Sequence, residues 1–195
     1  MALCLRAGFF GMSDISLRAW SAVIDKARAR DDIDEIFFEA SAVKSFADAY
    51  ARSAFHERWL GRYLTNFPQN FTVALTHEDD REQGCVAGYL AGCLKDPRGT
   101  DVFSDIAHFA LFESYLDRYR AHLHINLAPQ FRGAGLGVRL MEAFLKDVSA
   151  AGLHGAHVVT GAKSRNVSFY QRCGFQKLDT AMRNGIEIVF LGVRL

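Results

Sequence analysis

Apolar positions along the 195-residue chain change period several times, and each change predicts an element. In residues 13–30, Ile15, Ala19, Ala22, Val23 and Ala27 recur at three-and-four spacing behind Ser13 and Asp14, which predicts a capped first helix. Residues 33–40 (IDEIFFEA) predict a short strand. Residues 43–67 predict helix, but the stripe changes phase. Val43, Phe46, Ala47 and Tyr50 define one face, and Phe55, Trp59, Leu60, Tyr63 and Leu64 another, so two consecutive helices or one kinked helix are expected.

Pro68 ends that stretch. The β-rich runs 71–76 (FTVALT) and 85–94 (CVAGYLAGCL), joined by HEDDREQG, predict an antiparallel hairpin. Ala87, Gly88, Ala91 and Gly92 permit a close neighbour, through tight packing or through contact with a ligand. A turn at 96–101 (DPRGTD) precedes a helical pattern over 102–120 that carries Phe103, Ile106, Phe109 and Ala110.

Next comes AHLHINLAPQFRGAGLG, residues 121–137. An alternating apolar run stops at Pro129, and Gly133, Gly135 and Gly137 open a helix whose Leu136, Leu140, Phe144 and Val148 repeat every four residues. Met141 and Leu145 widen the stripe, and the helix is expected to run to about Ala151, before Gly152. Residues 155–160 predict a strand, 166–173 a short helix closed by Gly174, and 175–179 with 186–193 a terminal hairpin turning at Asn184-Gly185. A β-α-β unit joined to hairpins implies a mixed sheet in an α/β or α+β fold, and the length implies one domain.

Composition narrows the function classes. Half of the residues are hydrophobic, and the formal net charge of +1 argues against a nucleic-acid or membrane-surface binder, which would carry a basic excess. No apolar run is long enough to span a bilayer. Cys4, Cys85, Cys93 and Cys173 show no zinc-type spacing, and the start MALCLRAGFFGMSD lacks a secretory pattern, so a reduced, cytoplasmic setting is expected.

The glycine turn itself suggests chemistry. Amides in the first turn of a helix have no intrahelical partner, and the helix dipole adds positive charge there, so a strand–glycine turn–helix arrangement suits phosphate oxygens. A Walker loop requires Lys followed by Ser or Thr, but Val138-Arg139 stand there. A Rossmann turn requires GxGxxG and an acidic residue ending the next strand, whereas this chain has GxGxG and Thr160-Gly161.

The residues resemble motif A of the GNAT superfamily of acetyl-CoA-dependent N-acetyltransferases, whose Arg/Gln-x-x-Gly-x-Gly/Ala pattern matches Arg132, Gly135 and Gly137. A strand ending LAP lies in front and an amphipathic helix behind. About thirty residues on, NVSFYQRCGF resembles the family's Asn-x-x-x-Phe-Tyr-x-x-x-Gly-Phe segment. The resemblance covers roughly residues 71–190, with the first seventy matching as a loosely helical N-terminal part. The AHLHINLAP strand and the segment before it also resemble the acetyltransferase-like domain attached to O-GlcNAcases.

This resemblance implies a GNAT-like fold: a central, mostly antiparallel sheet with one splayed parallel strand pair, flanked by helices. It further implies acetyl-CoA held without a metal. Backbone amides of Arg132, Gly133, Ala134, Gly135, Leu136 and Gly137 would cradle the pyrophosphate, and Arg132 would add its charge. Leu127 would offer main-chain groups to the pantetheine arm, with Asn166 near that arm. Tyr170 matches the tyrosine that protonates the departing thiolate, work that suits a phenol.

The attacking amine also has to lose a proton. His122, His124 and Asn126 alternate and so share one face of the strand, and histidine accepts protons near neutrality. Counted back from Arg132 without gaps, His122 and His124 fall one residue out of register with the His-x-His pair of some family members, and a bulge would restore it. On that count Tyr119 fills the place of the glutamate that several members use, so Tyr119 and Asn126 are candidate acceptor contacts. His124 is therefore either a base or a histidine bonded within the sheet. A metal half-site at His122-x-His124 lacks an evident third ligand.

Two functions are implied by the resemblance. One is an enzyme moving acetyl from acetyl-CoA to a primary amine, of a small molecule or of a protein or peptide, by direct attack in a ternary complex. The other is a CoA-binding module without turnover. A homodimer is compatible with either.

Overall fold

The computed structural model describes residues 15–77 and 83–195, which form two compact units. The cap residues Ser13 and Asp14, Cys4 and the middle of the HEDDREQG turn lie outside the described residues. Among the described residues the architecture is mixed α/β, seven strands flanked by helices, with antiparallel pairs and a parallel one.

The described residues up to 91, together with 124–140, make the first unit. Its strands are β1 (Ile15–Ala19), β2 (Phe71–Thr76), β3 (Val86–Cys93, mostly) and the last four residues of β4 (Ala121–Leu127). The predicted first helix is not there. Residues 15–19 instead pair with β2, from Ile15↔Thr76 to Ala19↔Thr72, because long-range strand pairing overrides a short local stripe.

The helix begins later, as α1 (Lys26–Ala40), where the Asp25 side chain accepts from Arg28 N at 3.0 Å. The strand expected at 33–40 is therefore also corrected. Ala29, Ile33, Ile36 and Phe37 are buried on one face of α1, so the poor alternation of IDEIFFEA is helical spacing.

Residues 41–48 are not helical, and α2 (Ala49–His56) starts at Asp48, whose carboxylate accepts from Ala51 N. A π-turn over Glu57–Gly61 then joins it to α3 (Arg62–Asn66). Val43, Phe46 and Ala47 thus lie before α2, so the two expected stripes belong to different segments, and the π-turn rotates only the turns that follow it. The β2–β3 hairpin is as expected. Gly88 of β3 meets β4, where an added Cβ would lie 2.9 Å from Asn126 O and against the Leu127 side chain, so its small size serves a strand neighbour.

Residues 92–123 and 141–195 make the second unit. The start of β4 pairs in parallel with β5 (Gly155–Gly161) at Ala121↔Ala156 and His122↔His157. Beyond β5 come β7 (Ile186–Arg194) and β6 (Gln176–Arg183), all antiparallel, with the hairpin turn at Asn184 (φ 51°) and Gly185 (φ 77°). Both turn residues are left-handed, as an Asn-Gly hairpin requires.

The single helix expected over 102–120 is replaced by 3-10 turns and two short helices, α4 (His108–Leu111) and α5 (Glu113–Leu116). Thr100 Oγ1 accepts from Val102 N, and Ser104 Oγ donates to Asp101 O, so side chains compete for the backbone where a helix would start. Phe112, Leu116, Phe144, Val148, Phe175 and Phe190 fill this unit's core. Among the described residues no helix is long and apolar enough to cross a membrane.

Candidate active site

In the first unit the end of β4 leads through a 3-10 turn at Pro129–Phe131 into the glycine turn and α6 (Leu136–Ala150). Gly133 and Gly135 adopt φ values of 83° and 87°, a backbone that L side chains resist. Residues 132–135 are exposed, whereas Leu136 and Gly137 are buried. A 15-residue helix thus presents its N-terminus behind an open loop of left-handed glycines, which fits a diphosphate.

Arg132 is already engaged here: its Nε donates to Leu127 O at 3.0 Å and its Nη2 to Glu39 Oε2 at 2.6 Å. Nothing in the sequence pattern signals Glu39.

His124 is half-buried, with Trp59 and Tyr63 edge-on at centroid distances of 5.7 and 5.3 Å. Loss of water around the ring, and secondarily the nearby Arg62 cation, push its pKa down to about 4. The imidazole is therefore neutral at pH 7. Arg62, Trp59 and Tyr63 all come from the π-turn and α3.

The Asn126 side chain is turned inward, with Nδ2 donating to the Tyr89 hydroxyl at 2.8 Å. Tyr89 is fully buried, stacks on Phe71 at 5.4 Å, and has its ionisation pushed strongly upward by desolvation.

The second unit holds the other candidates. His122 is 4% exposed and lies edge-on to Phe103 and Phe109 at 4.7 and 5.1 Å. Its contacts are thus unlike those of His124, although the two alternate on one strand. Tyr119 is buried with its ring against Gly155 and Gly192, and its carbonyl meets His157 Nδ1 at 2.5 Å.

Asn166 begins α7 (Asn166–Arg172) and accepts at Oδ1 from Thr160 Oγ1 at 3.2 Å, tying the helix to the end of β5. Tyr170 of α7 is 5% exposed beside Phe169 and Phe175, and burial raises its pKa, keeping the phenol protonated. Cys173, a half-buried free thiol, is pushed up as well, mainly by desolvation.

The chain belongs to the acetyltransferase (GNAT) domain family, whose sequence model matches residues 69–177, more than half of its length. That membership supports acetyl transfer as the general activity. The fold is shared with solved structures of low identity. SsHAT is 22% identical, with a TM-score of 0.68 over 93% of this chain and 98% of that one. A chain of the NatC complex bound to Gag peptide and CoA is 12% identical, with a TM-score of 0.62 over 93% and 99%. The yncA protein from Salmonella typhimurium, with its cofactor acetyl-CoA, is 19% identical, with a TM-score of 0.55 over 92% and 93%.

Proposed function

We propose that this chain is an acetyl-CoA-dependent N-acetyltransferase that acts on a primary amine by direct attack in a ternary complex. The observation that carries the reading is the Arg132–Gly137 turn, with its left-handed Gly133 and Gly135 at the head of α6. Solved neighbours that hold acetyl-CoA, or CoA with a peptide, agree with such a cofactor and with an amine acceptor.

Acetyl-CoA supplies the activated acetyl group as a thioester. Amides of residues 132–137 and the Arg132 guanidinium would bind its diphosphate, Leu127 main-chain groups would hold the pantetheine arm, and the family pattern assigns Asn166 to that arm as well.

His124, neutral throughout the physiological range, accepts a hydrogen bond from the amine and passes its proton to water. With a pKa of about 4 it is a weak base, so positioning outweighs proton storage. Tyr170 gives its phenol proton to the departing sulfur and recovers one from solvent. We assign His122, Tyr119 and Asn126 to packing, since each side chain is directed into apolar or hydrogen-bonded surroundings.

The test has two stages. A ligand that binds only the native state raises stability by about 3 kcal/mol at a hundredfold excess over its dissociation constant, so acetyl-CoA should raise the melting temperature clearly. Release of free thiol over a panel of small amines and peptides then reports turnover. No thermal shift overturns the cofactor assignment. A shift without thiol release favours a CoA-binding module, the reading to which the weak base and the packed Tyr119 would then point.

A further inference from the structure

Two donors of the Arg132 guanidinium, Nε and Nη2, are engaged within the first unit. Nε bonds the Leu127 carbonyl at 3.0 Å, and Nη2 bonds the Glu39 carboxylate at 2.6 Å. In the acetyl-CoA reading these are the cation that meets the diphosphate and a main-chain acceptor on the pantetheine strand, so one side chain closes off both.

Glu39 is an unexpected residue at its position. It lies in the last turn of α1, where the helix dipole disfavours a carboxylate, and no basic residue in that turn offsets it. The ion pair with Arg132, ninety-three residues on, supplies the missing partner. The neighbouring chain is fixed by Lys44 Nζ, which donates to Glu39 O at 2.6 Å. Side-chain exposures of 35% for Arg132 and 45% for Glu39 leave the pair open to exchange with a dissolved anion.

We propose that Glu39 is a positioning residue that latches Arg132 across the Leu127 carbonyl, so that acetyl-CoA binds in competition with the Glu39 carboxylate. The proposal rests on the acetyl-CoA reading. Arg132 exchanges a carboxylate oxygen for a phosphate oxygen, no net charge is created, and the Leu127 carbonyl is released as an acceptor. The latch lowers cofactor affinity and keeps a cationic loop paired while the cofactor is away.

Calorimetric titration of CoA into the wild-type chain, Glu39→Gln, Arg132→Ala and the double variant tests this. Removing an exposed ion pair is worth up to about 1 kcal/mol, so Glu39→Gln should bind CoA about two- to fivefold more tightly. Glu39→Ala should act with the same sign, and ligand-free melting confirms that each variant is folded. In the Arg132→Ala background, Glu39→Gln should change the dissociation constant little, because the latch has no partner left.

Equal tightening in both backgrounds overturns the latch, since Glu39 would then act by general repulsion of the cofactor. Unchanged or weaker binding by Glu39→Gln also overturns it. A wild-type chain that binds no CoA overturns the cofactor reading, and the latch with it.

Discussion

Trp59 meets His124 edge-on with ring centroids 5.7 Å apart, and it does so because a π-turn over Glu57–Gly61 resets the helix that carries it. With Tyr63 and Arg62 it makes a dry, cationic surrounding in which the imidazole holds a proton only below about pH 4. If His124 engages the amine in its neutral form, kcat/KM shows no ascending limb from this group between pH 6 and 8. Any limb that it contributes lies near pH 4. A His124-dependent limb close to pH 6.5, present in the wild type and absent from His124→Gln, would contradict the assignment.

The same shift makes His124 a stability group. Its folded pKa of about 4 lies below the ordinary 6.5, so between those values the unfolded chain binds a proton that the folded chain does not. The stability is fully present above pH 6.5 and is lost as the pH falls toward 4, by up to about 3 kcal/mol. Melting curves from pH 7 to 4.5 should show a steeper loss for the wild type than for His124→Gln. Parallel curves would mean that the ring is hydrated.

How far the sequence discloses this arrangement depends on the range of the interactions. The segment from 121 to 194 is legible because its signals are local: left-handed glycines at 133 and 135, a four-residue stripe in α6, and Asn184-Gly185 at a hairpin. The first forty residues are not. The stripe from Ile15 to Ala27 satisfies a helical period, but β1 is decided by pairing with β2, more than fifty residues away. The phase change between Tyr50 and Phe55 is visible, but it reflects the non-helical 41–48 segment ahead of α2, and the π-turn itself leaves no local signal. The neighbours of His124 are hidden for the same reason, since Trp59, Arg62 and Tyr63 reach it through tertiary packing alone. Glu39 is hidden because no local rule pairs it with Arg132.

Gly88 provides a test of how tightly β3 and β4 fit. A Cβ there would stand 2.9 Å from the Asn126 carbonyl, a backbone atom that cannot rotate away, and would overlap the Leu127 side chain. Gly88→Ala should destabilise by about 1–3 kcal/mol, the usual cost of overpacking. It should also weaken CoA binding by displacing Leu127, whereas Ala87→Gly, at the neighbouring position, should leave binding intact. Chemical denaturation and calorimetry measure the two effects separately.

Tyr170 separates chemistry from binding. The phenol is 5% exposed between Phe169 and Phe175, so Tyr170→Phe keeps the ring's packing and removes only the hydroxyl. Loss of a positioned proton donor costs about 100-fold or more in the chemical step. If the hydroxyl serves the departing sulfur as proposed, and not the diphosphate, the dissociation constant for CoA should move little. Burial raises the phenol's pKa, so its protonated form persists through neutrality and no descending limb from Tyr170 enters the rate profile below pH 9. A variant that turns over at the wild-type rate would remove the hydroxyl from the mechanism and leave solvent as the proton source. One that loses CoA affinity in proportion to rate would make Tyr170 a binding residue.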